Sequence, residues 1–250
     1  MLKLTDGLER HAFELFADHP RLRHGLFARG PDGRPASFSF GAGQDDRTVM
    51  ANFRAAERCL GLPPSSMVGQ VHGDRVLTLA AGEIYRPDGP EQVRGGYDAI
   101  IGRPGQTLAV RLADCQGILL FEPASLTTAL VHSGWRGSVK NVLGRTVAAL
   151  RDELGLNPAD LLAAVSPSLG PCCAQYRDWA QDFPPEFGQF RPFGDDRFDF
   201  QALSLSQLTA AGLRPQNIQL SGVCTRCSPD FFSHRRGDVQ RFALLAGAPA

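Results

Sequence analysis
The chain has 250 residues with 26 basic and 26 acidic side chains, so its formal net charge is zero. That balance excludes a global electrostatic pull toward nucleic acid or an anionic membrane, and a 43% hydrophobic content excludes a disordered chain. The opening Met1-Leu2-Lys3-Leu4-Thr5-Asp6-Gly7 lacks the apolar run of a signal peptide, and no stretch reaches the length of a membrane span. Six cysteines without an export signal read as reduced thiols, ligands or catalytic groups. The expectation is a cytoplasmic protein, monomeric or homodimeric, that binds neither nucleic acid nor membrane.

In chain order, Gly30-Pro31-Asp32-Gly33-Arg34-Pro35 reads as a loop. A helix capped by Asp46 follows, with Val49, Phe53, Ala56 and Leu60 on one face and a stop at Gly61 and Pro63. Met67 to Leu79 reads as a hairpin turning at His72-Gly73-Asp74, and Pro87-Asp88-Gly89-Pro90 as another loop. Short apolar runs at 107–112, 117–121 and 128–131 predict buried strands. A helix from about Val139 to Glu153 places Val142, Val147 and Leu150 inward. Strands at 161–165, 217–223 and 241–245, and a helix at 203–211 stopped by Gly212, complete the list. Strands outnumber helices without alternating with them, so an α+β fold is expected, as one domain over residues 1–250.

Three segments carry the chemistry: Gln70-Val71-His72-Gly73, Ala113-Asp114-Cys115-Gln116 and Val131-His132-Ser133-Gly134-Trp135-Arg136-Gly137. Each sets a metal-ligating residue at a strand end near glycine or another small residue, where a turn exposes it. Two histidines and a cysteine suit zinc, and three protein ligands leave a fourth tetrahedral position open. The spacing along the chain matches no short-range zinc motif.

Together with His24-Gly25-Leu26-Phe27-Ala28-Arg29, Asp98-Ala99-Ile100, Ser168-Leu169-Gly170-Pro171-Cys172-Cys173, Cys224-Thr225-Arg226-Cys227 and Phe231-Phe232-Ser233-His234-Arg235-Arg236, these segments strongly resemble the YfiH-like family. Its members are variously called laccase-domain proteins, multicopper polyphenol oxidases or peptidoglycan editing factors. The resemblance implies a mixed β-sheet sandwich flanked by helices in α/β/β/α layers, and zinc on His72, Cys115 and His132. It also implies purine nucleoside chemistry: phosphorolysis of adenosine, inosine and methylthioadenosine, and deamination of adenosine. The chain departs from the family pattern at Leu112, where Thr is usual, at Gly117, where Pro is usual, and at Ser39, where an Asn stands in the early loop. Ser39 is carried over as a substrate-binding position.

Zinc with one thiolate and two neutral imidazoles activates water, the chemistry by which zinc deaminases act on bases. Asp114 is the nearest carboxylate in sequence and the candidate proton shuttle. If its segment is extended it points away from Cys115 and instead orients a ligand. Phosphorolysis needs an anion site of arginines and backbone N–H groups, for which Arg136, Arg29, Arg235 and Arg236 are candidates, with His24 as a further substrate contact. The pairs Cys172/Cys173 and Cys224/Cys227 read as packing or pocket-lining residues rather than a second metal site. Three other readings compete, one of them a non-enzymatic binding module whose zinc is structural, against which the open coordination position argues. Copper also accepts a His₂Cys set, but a multicopper oxidase uses many histidines, commonly as His-x-His pairs, and this chain has six histidines and no such pair. Cys115 could also serve as a metal-free nucleophile with His132 or His72 as base, in a cysteine hydrolase or peptidoglycan-editing amidase.

Overall fold
The structure, a computed structural model, describes residues 2–3, 9–28, 36–40, 45–85 and 96–250. The two predicted Gly/Pro loops and Arg29 lie outside the described residues. Twelve strands are described: β1 (Leu2–Lys3), β2 (Glu9–His11), β3 (Arg23–Phe27), β4 (Ser65–Met67), β5 (Val76–Thr78), β6 (Ala99–Gly102), β7 (Thr107–Leu112), β8 (Gln116–Glu122), β9 (Thr127–Ser133), β10 (Leu162–Val165), β11 (Ile218–Leu220) and β12 (Phe242–Gly247). They form two mixed six-stranded sheets. One runs β1-β2-β3-β12-β7-β4 and the other β11-β10-β8-β9-β6-β5. The main helices are α1 (Asp46–Leu60), α2 (Trp135–Val139), α3 (Val142–Leu154), α4 (Trp179–Asp182) and α5 (Phe200–Ala210).

The central strands are apolar on both faces because both faces are covered. Between the sheets, Leu108, Val110 and Leu112 of β7 and Leu244 of β12 share one core with Leu119, Phe121 and Leu130 of β8 and β9. The alternate residues Ile118, Leu120, Ala129 and Val131 turn outward onto Val147 and Leu150 of α3 and Leu208 of α5. On the far side, Ala109, Ala243 and Leu245 pack against Val49, Phe53 and Leu60 of α1. The order is therefore helix, sheet, sheet, helix, as the α+β reading with a β-sandwich expects.

Local chemistry sets the helix ends. Asp45, not Asp46, caps α1: its side chain accepts from the Thr48 N–H at 2.9 Å, and Gly61 closes the helix at φ 61°. The helix predicted from Val139 begins instead at Val142: Val139 ends α2, and Asn141 at φ 56° restarts the chain as the cap of α3. Asp199 caps α5 through the N–H groups of Gln201 and Ala202, so that helix begins three residues earlier than the apolar pattern indicates.

The predicted Met67–Leu79 hairpin does not form. β4 pairs in parallel with β7 in one sheet, while β5 pairs in parallel with β6 in the other. The intervening segment is a crossover between sheets, bent by Gln70 at φ 43° and His72 at φ 59°. A second crossover, Ala113-Asp114-Cys115, joins β7 to β8 with Asp114 at φ 82°. The expectation that an extended segment turns Asp114 away from Cys115 fails for that reason.

Leu112 and Gly117 flank this second crossover and fit each other. A Cβ at Gly117 would lie 2.6 Å from Leu112 Cδ1, and Leu112 is only 1% exposed, so its side chain has no solvent to swing into. The two departures from the family pattern thus form a complementary pair. Gly117→Ala is expected to cost about 1–3 kcal/mol in urea unfolding by overpacking. Leu112→Val in the same chain should be less damaging than the two single effects added, the sign of direct coupling. Strict additivity would contradict the packing account.

Candidate functional site
Strand register brings the three predicted ligands to one end of the second sheet. In the β8–β9 ladder Gly117 faces His132 and Gln116 faces Ser133, so Cys115, just before β8, arrives beside Gly134. In the β6–β9 ladder Ala99 faces Val131, which sets Asp98 next to His132; the His132 N–H donates to the Asp98 carbonyl at 2.7 Å. β5 lies on the other side of β6 and is preceded by the His72 crossover. The ligand atoms of His72, Cys115 and His132 fall within 4.8 Å of one another, with Cys115 Sγ 3.8 Å from His72 Nε2. Bonds of about 2.3 Å to sulfur and 2.0 Å to nitrogen at a tetrahedral angle give a separation of about 3.5 Å, so the set fits a single zinc-sized ion.

Gly134 is required by that closeness. A Cβ there would sit 2.9 Å from Cys115 Sγ and 2.9 Å from His72 Cδ2.

Asp98 organises the set, a role that the sequence reading did not give it. Its carboxylate is fully buried and accepts from the Val71, His72 and Gly73 N–H groups at 3.1, 2.9 and 2.6 Å, and from His132 Nδ1 at 2.8 Å. The Nδ1 bond leaves His132 Nε2 to ligate, the usual carboxylate–histidine arrangement of metal centres. Burial works against the charged carboxylate, but the bonds from His132 and Gly73 hold Asp98 below the usual range. Burial likewise opposes the Cys115 thiolate, and the two imidazoles outweigh it and draw the thiol down. Burial would lower His132, whereas Cys115 and Asp98 push it up. The signal for Asp98 in the sequence is a carboxylate set directly before a fully apolar strand, Ala99–Gly102.

Above the ligands lies a cavity of about 600 Å³, within the range of small-molecule sites. His72, Cys115 and His132 line it, with Ser39, Asp114, Arg136 and Arg235 among the other sequence candidates. Asp114 uses both carboxylate oxygens to fix the chain, accepting from Thr225 Oγ1 and from the Arg235 N–H, each at 2.6 Å. Arg136 lies within α2, and its guanidinium stacks over Trp135 at 4.1 Å. Two candidates lie elsewhere. His24 is in the core, stacked on Phe13 and accepting from the Phe13 N–H at 2.9 Å; burial first, then Arg10, lowers it to about 4. Arg236 does not line the cavity, because its guanidinium is taken up by the carbonyls of Thr225, Arg226, Ser228 and Phe231 and by Asp238.

The cavity also holds residues the sequence did not flag. Arg111 and Arg241 line it as neighbours; burial, and then the Arg241 charge, lower Arg111. No carboxylate salt bridge to either occurs among the described residues. Gln70 fixes Arg111 by accepting from its N–H at 2.9 Å and from its Nε at 3.2 Å. Gln116, also lining the cavity, has a buried Nε2 without a partner among the described residues. Tyr176 and Phe200 supply an aromatic wall.

A profile of the multi-copper polyphenol oxidoreductase laccase family matches residues 23–247, nearly the whole chain and every segment of this site. The chain belongs to that family. Among relatives of this laccase-domain chain, purine nucleoside phosphorylase YlmD of Geobacillus stearothermophilus is 30% identical over 242 residues, covering 90% of the chain and 86% of the relative. A purine nucleoside phosphorylase of Xylella fastidiosa strain 9a5c is 34% identical over 221 residues, covering 82% and 80%. The crystal structure of the Geobacillus YlmD superposes with a TM-score of 0.82 at 26% identity, over 100% of this chain and 98% of that one. A YfiH protein of Bacillus licheniformis, 22% identical over 91% and 93% of the two chains, shares the fold with a TM-score of 0.78. No helix among the described residues of this laccase-domain chain is long and apolar enough to cross a membrane.

Replacing Asp98 by Asn removes the charge that orients His132 and answers three N–H donors. Metal titration should show affinity about 10–100-fold weaker than wild type. Unchanged affinity would mean that Asp98 serves the loop and not the ligand.

Proposed function
We propose that the chain is a zinc-dependent purine nucleoside phosphorylase that splits adenosine, inosine and methylthioadenosine to free base and ribose 1-phosphate, with adenosine deamination as a further activity. The observation that carries this reading is a single cavity that joins a three-ligand metal site to a set of arginines. Inorganic phosphate carries between one and two negative charges near neutral pH, and guanidinium forks match its oxygens bidentately. Arg111 and Arg136 supply the anion pocket, and Arg241 and Arg235, whose guanidiniums also bond the carbonyls of 238–240 and of Cys173 and Gln175, add positive charge to the same cavity. A purine fits against Tyr176 and Phe200, with the Gln116 amide as a buried donor.

In phosphorolysis a phosphate oxygen bonds to C1′ of the ribose while the C1′–N9 bond breaks, its electron pair leaves with the base, and the base takes up the proton that hydrogen phosphate gives up. The arginines hold the nucleophile in line, and the aromatic wall excludes water that would hydrolyse the same bond. Zinc at His72, Cys115 and His132, when bound, supplies a Lewis acid with one position open to a polar substrate atom. Asp114 acts by position: with both oxygens occupied, it fixes the crossover that presents Cys115.

Chromatography of adenosine reactions tests the class directly. Adenine and ribose 1-phosphate should form only when phosphate is present, and Arg111→Lys or Arg136→Lys should lower that rate by about 10²–10³ with metal content unchanged. Adenine released equally without phosphate would make the enzyme a hydrolase, and inosine as sole product would leave only deamination.

Oxidation of phenols by the zinc form should be negligible, since zinc has no accessible redox couple. Activity on a phenolic dye that follows zinc content in copper-free protein would overturn the assignment.

One observation favours a second reading. Cys115, His132 and Asp98 form an ordered thiol–imidazole–carboxylate array, the arrangement of a cysteine nucleophile with an oriented base. Activity that survives complete zinc removal but not Cys115→Ser would establish that reading in place of the metal one.

A further inference from the structure
The two cysteine pairs, read from the sequence as separate packing residues, converge in space. Cys172 Sγ lies 3.7 Å and Cys173 Sγ 3.5 Å from Cys227 Sγ, and all four sulfurs, with Cys224, fall within 4.8 Å of one another. Cys172 and Cys173 are adjacent, and both can face one point because the chain turns tightly there. The N–H groups of Cys173 and Ala174 both reach the Gly170 carbonyl at 2.9 Å, and the turn carries both sulfurs to the same side as Cys227.

We infer that Cys172, Cys173, Cys224 and Cys227 form a second metal site, a tetrathiolate site for one structural zinc ion. Four sulfurs at about 2.3 Å from a tetrahedral centre stand about 3.8 Å apart, close to the spacings found here. The cluster is too compact for an iron–sulfur cluster, whose ligand sulfurs bracket several iron atoms. Two of the sulfurs already receive donors. Cys224 accepts backbone N–H bonds from Gly170, Cys227 and Arg226, and the Arg226 guanidinium donates to Cys173 Sγ at 3.4 Å. Close approach is built in at Gly170, where a Cβ would sit 2.8 Å from Cys224 Cβ. Four protein ligands close the coordination sphere, so this site is structural, in contrast to the open His₂Cys site.

Its place in the fold gives it a task. Ser168 and Cys224 form a bridge that joins the two cysteine segments, and the Thr225 N–H donates to the Ser168 carbonyl at 2.9 Å. Arg235 donates to the carbonyls of Cys173 and Gln175, and Thr225 and Arg235 both hold Asp114. An ion on the four sulfurs therefore staples the two loops against which the Asp114–Cys115 crossover rests.

Protein purified anaerobically is analysed for zinc by elemental analysis, as wild type, Cys115→Ala, Cys227→Ser and the double variant. Cys115→Ala and Cys227→Ser should each lose about one equivalent, independently, and the double variant both. If Cys227→Ser does not fold, the wild type decides: titration with a mercurial should release a second equivalent of zinc, and cobalt replacement should give a tetrathiolate ligand-field spectrum beside the His₂Cys one. Full zinc content in Cys227→Ser overturns the inference. So does mercurial modification of these four thiols without zinc release, iron in place of zinc, or disulfides among the four in the anaerobic protein.

Discussion
Asp98 has no exposed surface, yet its carboxylate receives hydrogen bonds from three consecutive backbone N–H groups and from His132. A buried charge of this kind is tolerable only when its lone pairs are satisfied, and here the partners that satisfy it are the parts of the site. The N–H groups belong to the Val71–Gly73 segment, so neutralising the charge also bends the chain into the positive-φ turn that presents His72. The imidazole belongs to β9, so the same charge fixes which His132 nitrogen faces Cys115. One carboxylate thereby couples a crossover from one sheet to a strand of the other.

The fold makes that coupling possible by crossing between sheets twice at the same end. The His72 crossover links β4 to the strands beyond it, and the Asp114–Cys115 crossover links β7 to β8. Gln70 ties the two together, since its amide accepts from Arg111 and donates to the Arg111 carbonyl at 2.7 Å. Because the sandwich core beneath is continuous and apolar, polar groups gather at this open end, where loops can bend. The arginines arrive by the same route: Arg111 at the last turn of β7 and Arg241 just before its neighbour β12.

Much of this was legible in the sequence. The α1 face and the apolar β7, β8 and β9 follow from local patterns, whereas His72, Cys115 and His132, which do converge, are tied together by the family resemblance and not by their spacing. Pairing does not: Met67–Leu79 has the look of a hairpin, and only distant strands decide that its halves belong to different sheets. Side-chain direction is equally hidden. His24 belongs to a segment shared with the family, but the β3 register turns it into the core, while Arg236 is drawn to backbone carbonyls that no motif announces. Arg111 reads as one polar residue in a buried strand until Arg241 is placed beside it. The four cysteines show the same limit, since two unremarkable pairs become a cluster only when two loops meet.

One metal ion is expected where His72, Cys115 and His132 converge. Anomalous diffraction at the zinc edge, from crystals of protein that cleaves adenosine, tests it most directly. A peak is expected about 2.0–2.3 Å from His72 Nε2, Cys115 Sγ and His132 Nε2, with the remaining position open toward the arginines. Active crystals with no anomalous peak at that point would contradict it.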